Sequence, residues 1–135
     1  MKSITLLLML FITVNFFAQS KENVFFDQNT LITKFHTIDE LENLKKGDLV
    51  TLYIERANEI ITVLPYIALT NESDTSLSDL GIKENSDNVK LLKKHHETTI
   101  DAFEGTSNLI TELIPYADTD KIVWSILYYL SLIHI

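Results

Sequence analysis

The chain has 135 residues, no cysteine and a formal net charge of -8. Without cysteine it has no disulfide, no covalently attached haem and no lipidated-cysteine anchor, so its stability must come from an apolar core. The acidic balance repels phosphate backbones, and lysines occur as isolated pairs such as Lys45-Lys46 and Lys93-Lys94, so nucleic acid is not an expected partner.

The first twenty residues read as an address. Lys2 precedes a mostly apolar run from Ile4 to Ala18, which ends in the small-x-small triplet Ala18-Gln19-Ser20. That order is a Sec-type signal peptide, cleaved after Ala18 or Ser20. The run is shorter than the ~20 residues a spanning helix needs. The expected location is therefore periplasmic or secreted, with a membrane as partner only if the segment stays uncleaved.

Residues 21–36, KENVFFDQNTLITKFH, show no clear period and are expected to form an N-terminal arm or a short helix. Thr37 and Glu40 then stand at capping-box spacing at the start of a short helix. Gly47 is expected to close it in a left-handed turn and Asp48 to cap the next helix. From Leu49 to Leu64, Leu49, Tyr53, Ile60 and Val63 share one side, which predicts a helix with Glu55, Asn58, Glu59 and Thr62 on its solvated face. Arg56 falls within the apolar stripe and must pair or reach outward.

Residues 70–88 are dense in Ser, Asn, Asp and Thr and read as a loop, with one turn ending on Gly81 and with Leu77, Leu80 and Ile82 pinning it to the core. The strongest pattern follows: Leu92, His96, Thr99, Phe103, Thr106, Ile110 and Leu113 alternate spacings of four and three. It predicts one helix from Asp87 to Ile114, roughly 40 Å long at the helical rise, with Gly105 loosening its middle. Asp118 or Thr119 is expected to cap a last long helix that buries Ile122, Val123, Ile126 and Leu127.

The only two prolines open two Pro-Tyr pairs, Pro65-Tyr66 and Pro115-Tyr116, fifty residues apart. Each follows a helical run, and at the same offset Asn58 matches Asn108 and Ile60 matches Ile110. Amphipathic helices resemble one another cheaply, so the pairs read first as punctuation: proline ends the helix, and the tyrosine folds back over the exposed end. The functional reading makes Tyr66, Tyr116 and Asp118 a surface for a partner or ligand. Antiparallel helices would hold the two tyrosines at opposite ends, which favours punctuation.

Few residues suggest chemistry. His95 and His96 diverge by about 100° on a helix and cannot share one metal; His96 is expected as a hydrogen-bonded core residue and His95 at the surface. Glu97, Asp101 and Glu104 form an acidic stripe that reads as a solvated face. There is no nucleophile elbow and no glycine-rich phosphate loop. No catalytic residue, cofactor or metal ligand is assigned.

The last six residues, LSLIHI, written as CTG TCT CTT ATA CAC ATC, match the end sequence of a transposase used in sequencing-library preparation. Residues 130–135 are accordingly read as an adapter scar on a truncated chain.

The fold expected is all-α, an antiparallel up-down bundle of three to four helices over residues 37–129. The expected function is that of an exported, non-catalytic module binding a protein or small molecule. The alternatives are an enzyme using surface or cleft carboxylates and a membrane-tethered periplasmic component.

Overall fold

A computed structural model of the protein describes residues 23–133, so the segment read as a signal peptide, Lys21, Glu22, His134 and Ile135 lie outside the described residues. Among the described residues four α-helices form: α1 (Ile38–Glu42), α2 (Lys46–Val63), α3 (Ser86–Leu113) and α4 (Thr119–Ile133). No strand occurs among the described residues. One isolated antiparallel bridge joins Val24 to Ser76.

The helix starts follow local chemistry. Thr37 and Glu40 form the reciprocal capping box: the Glu40 amide donates to Thr37 Oγ1 at 3.3 Å, and the Thr37 amide donates to Glu40 Oε2 at 2.7 Å. Asn85 caps α3 through Oδ1, which accepts from the amides of Asp87 and Asn88. Gly47 departs from expectation. It sits inside the first turn of α2 and is not left-handed, because α1 already ends at Asn43 in right-handed geometry. Lys45, with no side-chain cap, precedes α2, and Asp48 lies in the first turn, where its charge suits the helix dipole.

Both Pro-Tyr pairs do end helices. At Leu64–Tyr66 and Ile114–Tyr116 the α-helix tightens into a 3-10 turn. The proline nitrogen has no hydrogen to continue the ladder. The amides of Ile67 and Ala117 reach back only three residues, to the carbonyls of Leu64 and Ile114. Past that point the two copies diverge. Ile67 stays in helical geometry and Tyr66 is buried, whereas Ala117 is extended and Tyr116 is 88% exposed. The fold-back expected of both tyrosines holds only for the first.

Helix α2 is the central rod, with α3 and α4 packed against it. At its C-terminal end Val63 joins Phe25, Phe26, Tyr66, Leu77, Leu92 and Ile133 in one apolar cluster. At its N-terminal end Leu49 joins Leu41, Ile122, Val123 and Ile126 in another. Leu92 near the start of α3 and Ile133 at the end of α4 thus meet the same end of α2, so α2 and α3 are antiparallel and α4 runs alongside α2. This is an all-α helical bundle. On α3, Leu92 and Ile110 are buried, the seam positions between them are half-buried, Leu113 is exposed, and the helix runs through Gly105 without a break. Helix α4 continues through Leu130 and Ile133, both buried and in register with Ile126; an apolar continuation at that spacing packs whatever its origin.

Candidate functional site

What the helical period did not foresee is how the arm is used. Residues 24–36 lie over α2 and α3, held at one end by Phe25 and Phe26, both nearly inaccessible. The Phe25 ring sits 5.2 Å from that of Tyr66. Its amide donates to the Thr75 carbonyl at 3.0 Å, and the Phe26 carbonyl accepts from the Asp74 amide at 2.9 Å. Asp74 takes φ 60 to aim that amide, a left-handed conformation that aspartate tolerates better than most residues. The loop at 70–82 thereby straps the arm. Leu77 is buried and Ile82 packs beside it, Leu80 stays exposed, and Gly81 takes φ 71 at the close of the turn.

Two histidines complete the anchor. His96 Nε2 lies 2.9 Å from the Phe25 carbonyl. A carbonyl only accepts, so Nε2 carries the hydrogen. Tyr66 places its hydroxyl 2.6 Å from His95 Nδ1, with Thr99 Oγ1 3.4 Å from the same nitrogen. Burial pushes the Tyr66 pKa up to about 12, so its hydroxyl stays protonated, and it donates to Nδ1 or accepts from it according to the tautomer of His95. His95, expected at the surface, is instead half-buried because its ring reaches back to Tyr66.

Under the arm, α2 carries two buried charges. Arg56 is 2% exposed and Glu59 is 1% exposed. Glu59, expected on a solvated face, accepts the Ile32 amide at 2.9 Å through Oε1. Arg56 does pair: Nη2 donates to the Lys34 carbonyl at 3.0 Å. Burial lowers the guanidinium pKa, while the charges of Glu59 and Glu55 act in the opposite direction. One signal pointed this way: Leu49, Arg56 and Val63 recur at seven-residue intervals on one buried line. The arm that covers it has no helical period from which such cover could be read.

Clefts border α2 on several sides. One, of about 760 Å³, lies between residues 24–30 of the arm, Asn58 and Thr62 of α2, and His96, Thr99, Ile100 and Phe103 of α3. A second, of about 500 Å³, lies between residues 29–36 and Leu52, Glu55, Arg56 and Asn58 of α2. A third, of about 460 Å³, is mostly apolar and runs between α3 and α4, with Tyr53, Ala57 and Ile61 of α2 along it. Tyr53 and Tyr129 share a hydrogen bond of 2.9 Å beside it, and burial together with that bond raises the Tyr53 pKa to about 12.

The candidate contact residues Tyr66, Tyr116 and Asp118 are not brought together. Tyr66 is buried in the arm-end cluster with its hydroxyl engaged. Tyr116 and Asp118 are exposed at the other end of the bundle, where neighbouring Ile114 and Ala117 pack against the second cluster. Glu97, Asp101 and Glu104 are exposed on α3. Among the described residues no three His, Asp or Glu side chains converge as a metal-holding group, and no helix is long and apolar enough to cross a membrane. Comparison with protein-family models, with curated proteins and with solved structures finds no match.

Proposed function

We propose that the protein is an exported, non-catalytic module that binds a small molecule in the cleft between the arm and helices α2 and α3. The observation that carries this reading is the cleft itself. At about 760 Å³ it falls within the roughly 300–1,000 Å³ of small-molecule sites. Ile100 and Phe103 of α3 offer apolar area, and Asn58 and Thr62 of α2 with Thr99 of α3 offer hydrogen-bonding groups. Export rests on the pattern of residues 1–20. The carboxylates an enzyme would draw on, Glu97, Asp101 and Glu104, stand exposed on α3, which favours binding over catalysis.

The test is a neutral solvatochromic dye and a small-molecule panel, read by fluorescence and thermal shift. Phe103→Ala and Asn58→Ala are expected to weaken binding of whatever hit emerges, and Trp124→Ala on α4 to leave it unchanged. Equal binding by all three variants would place the ligand elsewhere. A protein partner is the second reading. Trp124 and Tyr128 are spaced one turn apart on α4 and are 61% and 60% exposed, which is an aromatic patch of the kind partners cover. If that reading holds, Trp124→Ala abolishes partner binding and Phe103→Ala does not.

A further inference from the structure

The second cleft holds an imbalance that the first does not. Arg56 brings five N–H donors into a nearly inaccessible position, and Nη2 satisfies one of them at the Lys34 carbonyl. Its Nε is buried with no acceptor among the described residues. His36 Nδ1 is likewise buried and unpaired. Both side chains line the same cleft of about 500 Å³. Buried polar atoms without partners are few in folded proteins because each gives up its water for nothing, and each one calls for an account.

We propose that the cleft beneath residues 29–36 is an oxyanion site, receiving the carboxylate or phosphate group of a small ligand between Arg56 and His36. The chemistry selects the sign of the charge. A cation would meet the guanidinium and be repelled, and a neutral ligand would leave unrelieved the burial of that charge, which Glu59 and Glu55 do not outweigh. An oxyanion offers only acceptors to a cleft whose unpaired atoms are an Arg N–H and an imidazole nitrogen able to carry a hydrogen. Lys34 and the side chains of Thr30, Thr33 and Asn58 line the same space and add a cation and neutral donors. Glu59 offsets part of the guanidinium charge while its Oε1 accepts the Ile32 amide, and Arg56 Nε is still left without an acceptor. Glu55 is the one carboxylate lining the cleft, so it limits affinity and its removal strengthens binding.

The proposal goes beyond the small-molecule reading above and stands without it, because acetate and phosphate have no body with which to occupy the larger cleft. The two clefts share Asn29, Thr30 and Asn58, so a longer ligand anchored here by its anionic end would extend toward Phe103.

The experiment is a nitrogen-edited NMR titration of the full chain, following the Arg56 Nε–H and the His36 ring. Acetate and phosphate are added in separate arms, with chloride balancing the ionic strength. Saturable shifts of both signals are expected. His36→Ala should weaken binding about tenfold, as the loss of one charge-assisted hydrogen bond does. Glu55→Gln should tighten it, and Leu91→Ala, at an exposed position of α3 outside the clefts, should leave it unchanged. Saturation by acetate alone assigns a carboxylate, and by phosphate alone a phosphate. Arg56→Lys, which keeps the charge and removes the fork, serves as the second variant and should also weaken binding. Shifts that are absent or merely linear in both arms, or an affinity indifferent to His36→Ala, overturn the site and leave the two nitrogens to bound water.

Discussion

Tyr66 shows how much one side chain decides. Its ring closes the end of α2 against Phe25, and its hydroxyl fixes the face of His95. With a pKa of about 12 in the fold against roughly 10 in the unfolded chain, it titrates first when unfolded. Above pH ~10 the unfolded state therefore binds fewer protons than the native one, and stability falls as pH rises toward the folded value. Tyr53, raised to about 12 as well, pulls in the same direction. Tyr66→Phe is expected to flatten this alkaline loss in urea melts compared across pH, with the remaining slope owed to Tyr53. Near neutral pH the same change should cost about 1 kcal/mol, the net worth of one hydrogen bond, less whatever Thr99 recovers at His95. Thr37→Ala removes the side-chain half of the capping box, and a loss of about 1 kcal/mol in the same melts is the expected outcome.

At the scale of elements, backbone conformation sorts the glycines. Gly105 lies in the interior of α3 with nothing within 4 Å of an added Cβ, whereas Gly81 sits at φ 71. Gly105→Ala should therefore stabilise the protein by up to about 1 kcal/mol, by restricting the unfolded chain and favouring helix. Gly81→Ala, also unhindered by neighbours, should destabilise it because an L-residue is strained there. Shifts of opposite sign in the urea midpoint would separate conformation from packing. The helices themselves were legible: the alternating spacing from Leu92 to Leu113 placed α3 to within a residue at each end, since a sustained apolar seam is local information. The cover over Arg56 and Glu59 was not. It depends on residues 24–36 crossing α2, and an irregular segment carries no period that says which helix face it will lie on. Tyr66 and Tyr116 make the same point. They share a local motif and the same 3-10 stop, and they part only because Phe25, Leu77 and Leu92 surround one of them.

At the scale of the whole molecule, two apolar clusters sit at opposite ends of α2, and α4 serves both, through Ile122, Val123 and Ile126 at one end and Ile133 at the other. The arm belongs to the second end, so the clefts beneath it depend on residues more than a hundred positions away. A chain stopped after Tyr129 tests that dependence. It removes Leu130 and Ile133, both more than nine-tenths buried, and should cost roughly 3 kcal/mol or more at ~1.5–3 kcal/mol for each buried aliphatic side chain. That is a large share of the ~5–15 kcal/mol that holds a domain together. The cost should not be spread evenly. Ile133 touches the cluster of Phe25, Phe26 and Val63, so amide hydrogen exchange should quicken in the arm and in the first turns of α3. Around Leu41 and Leu49, where Ile122 and Ile126 still pack, protection should persist. Uniform loss of protection would mean that the two clusters fold as one cooperative unit, and binding in the arm clefts would then report global stability. A loss confined to the arm would mean that α4 positions the clefts through a single contact at its last turn.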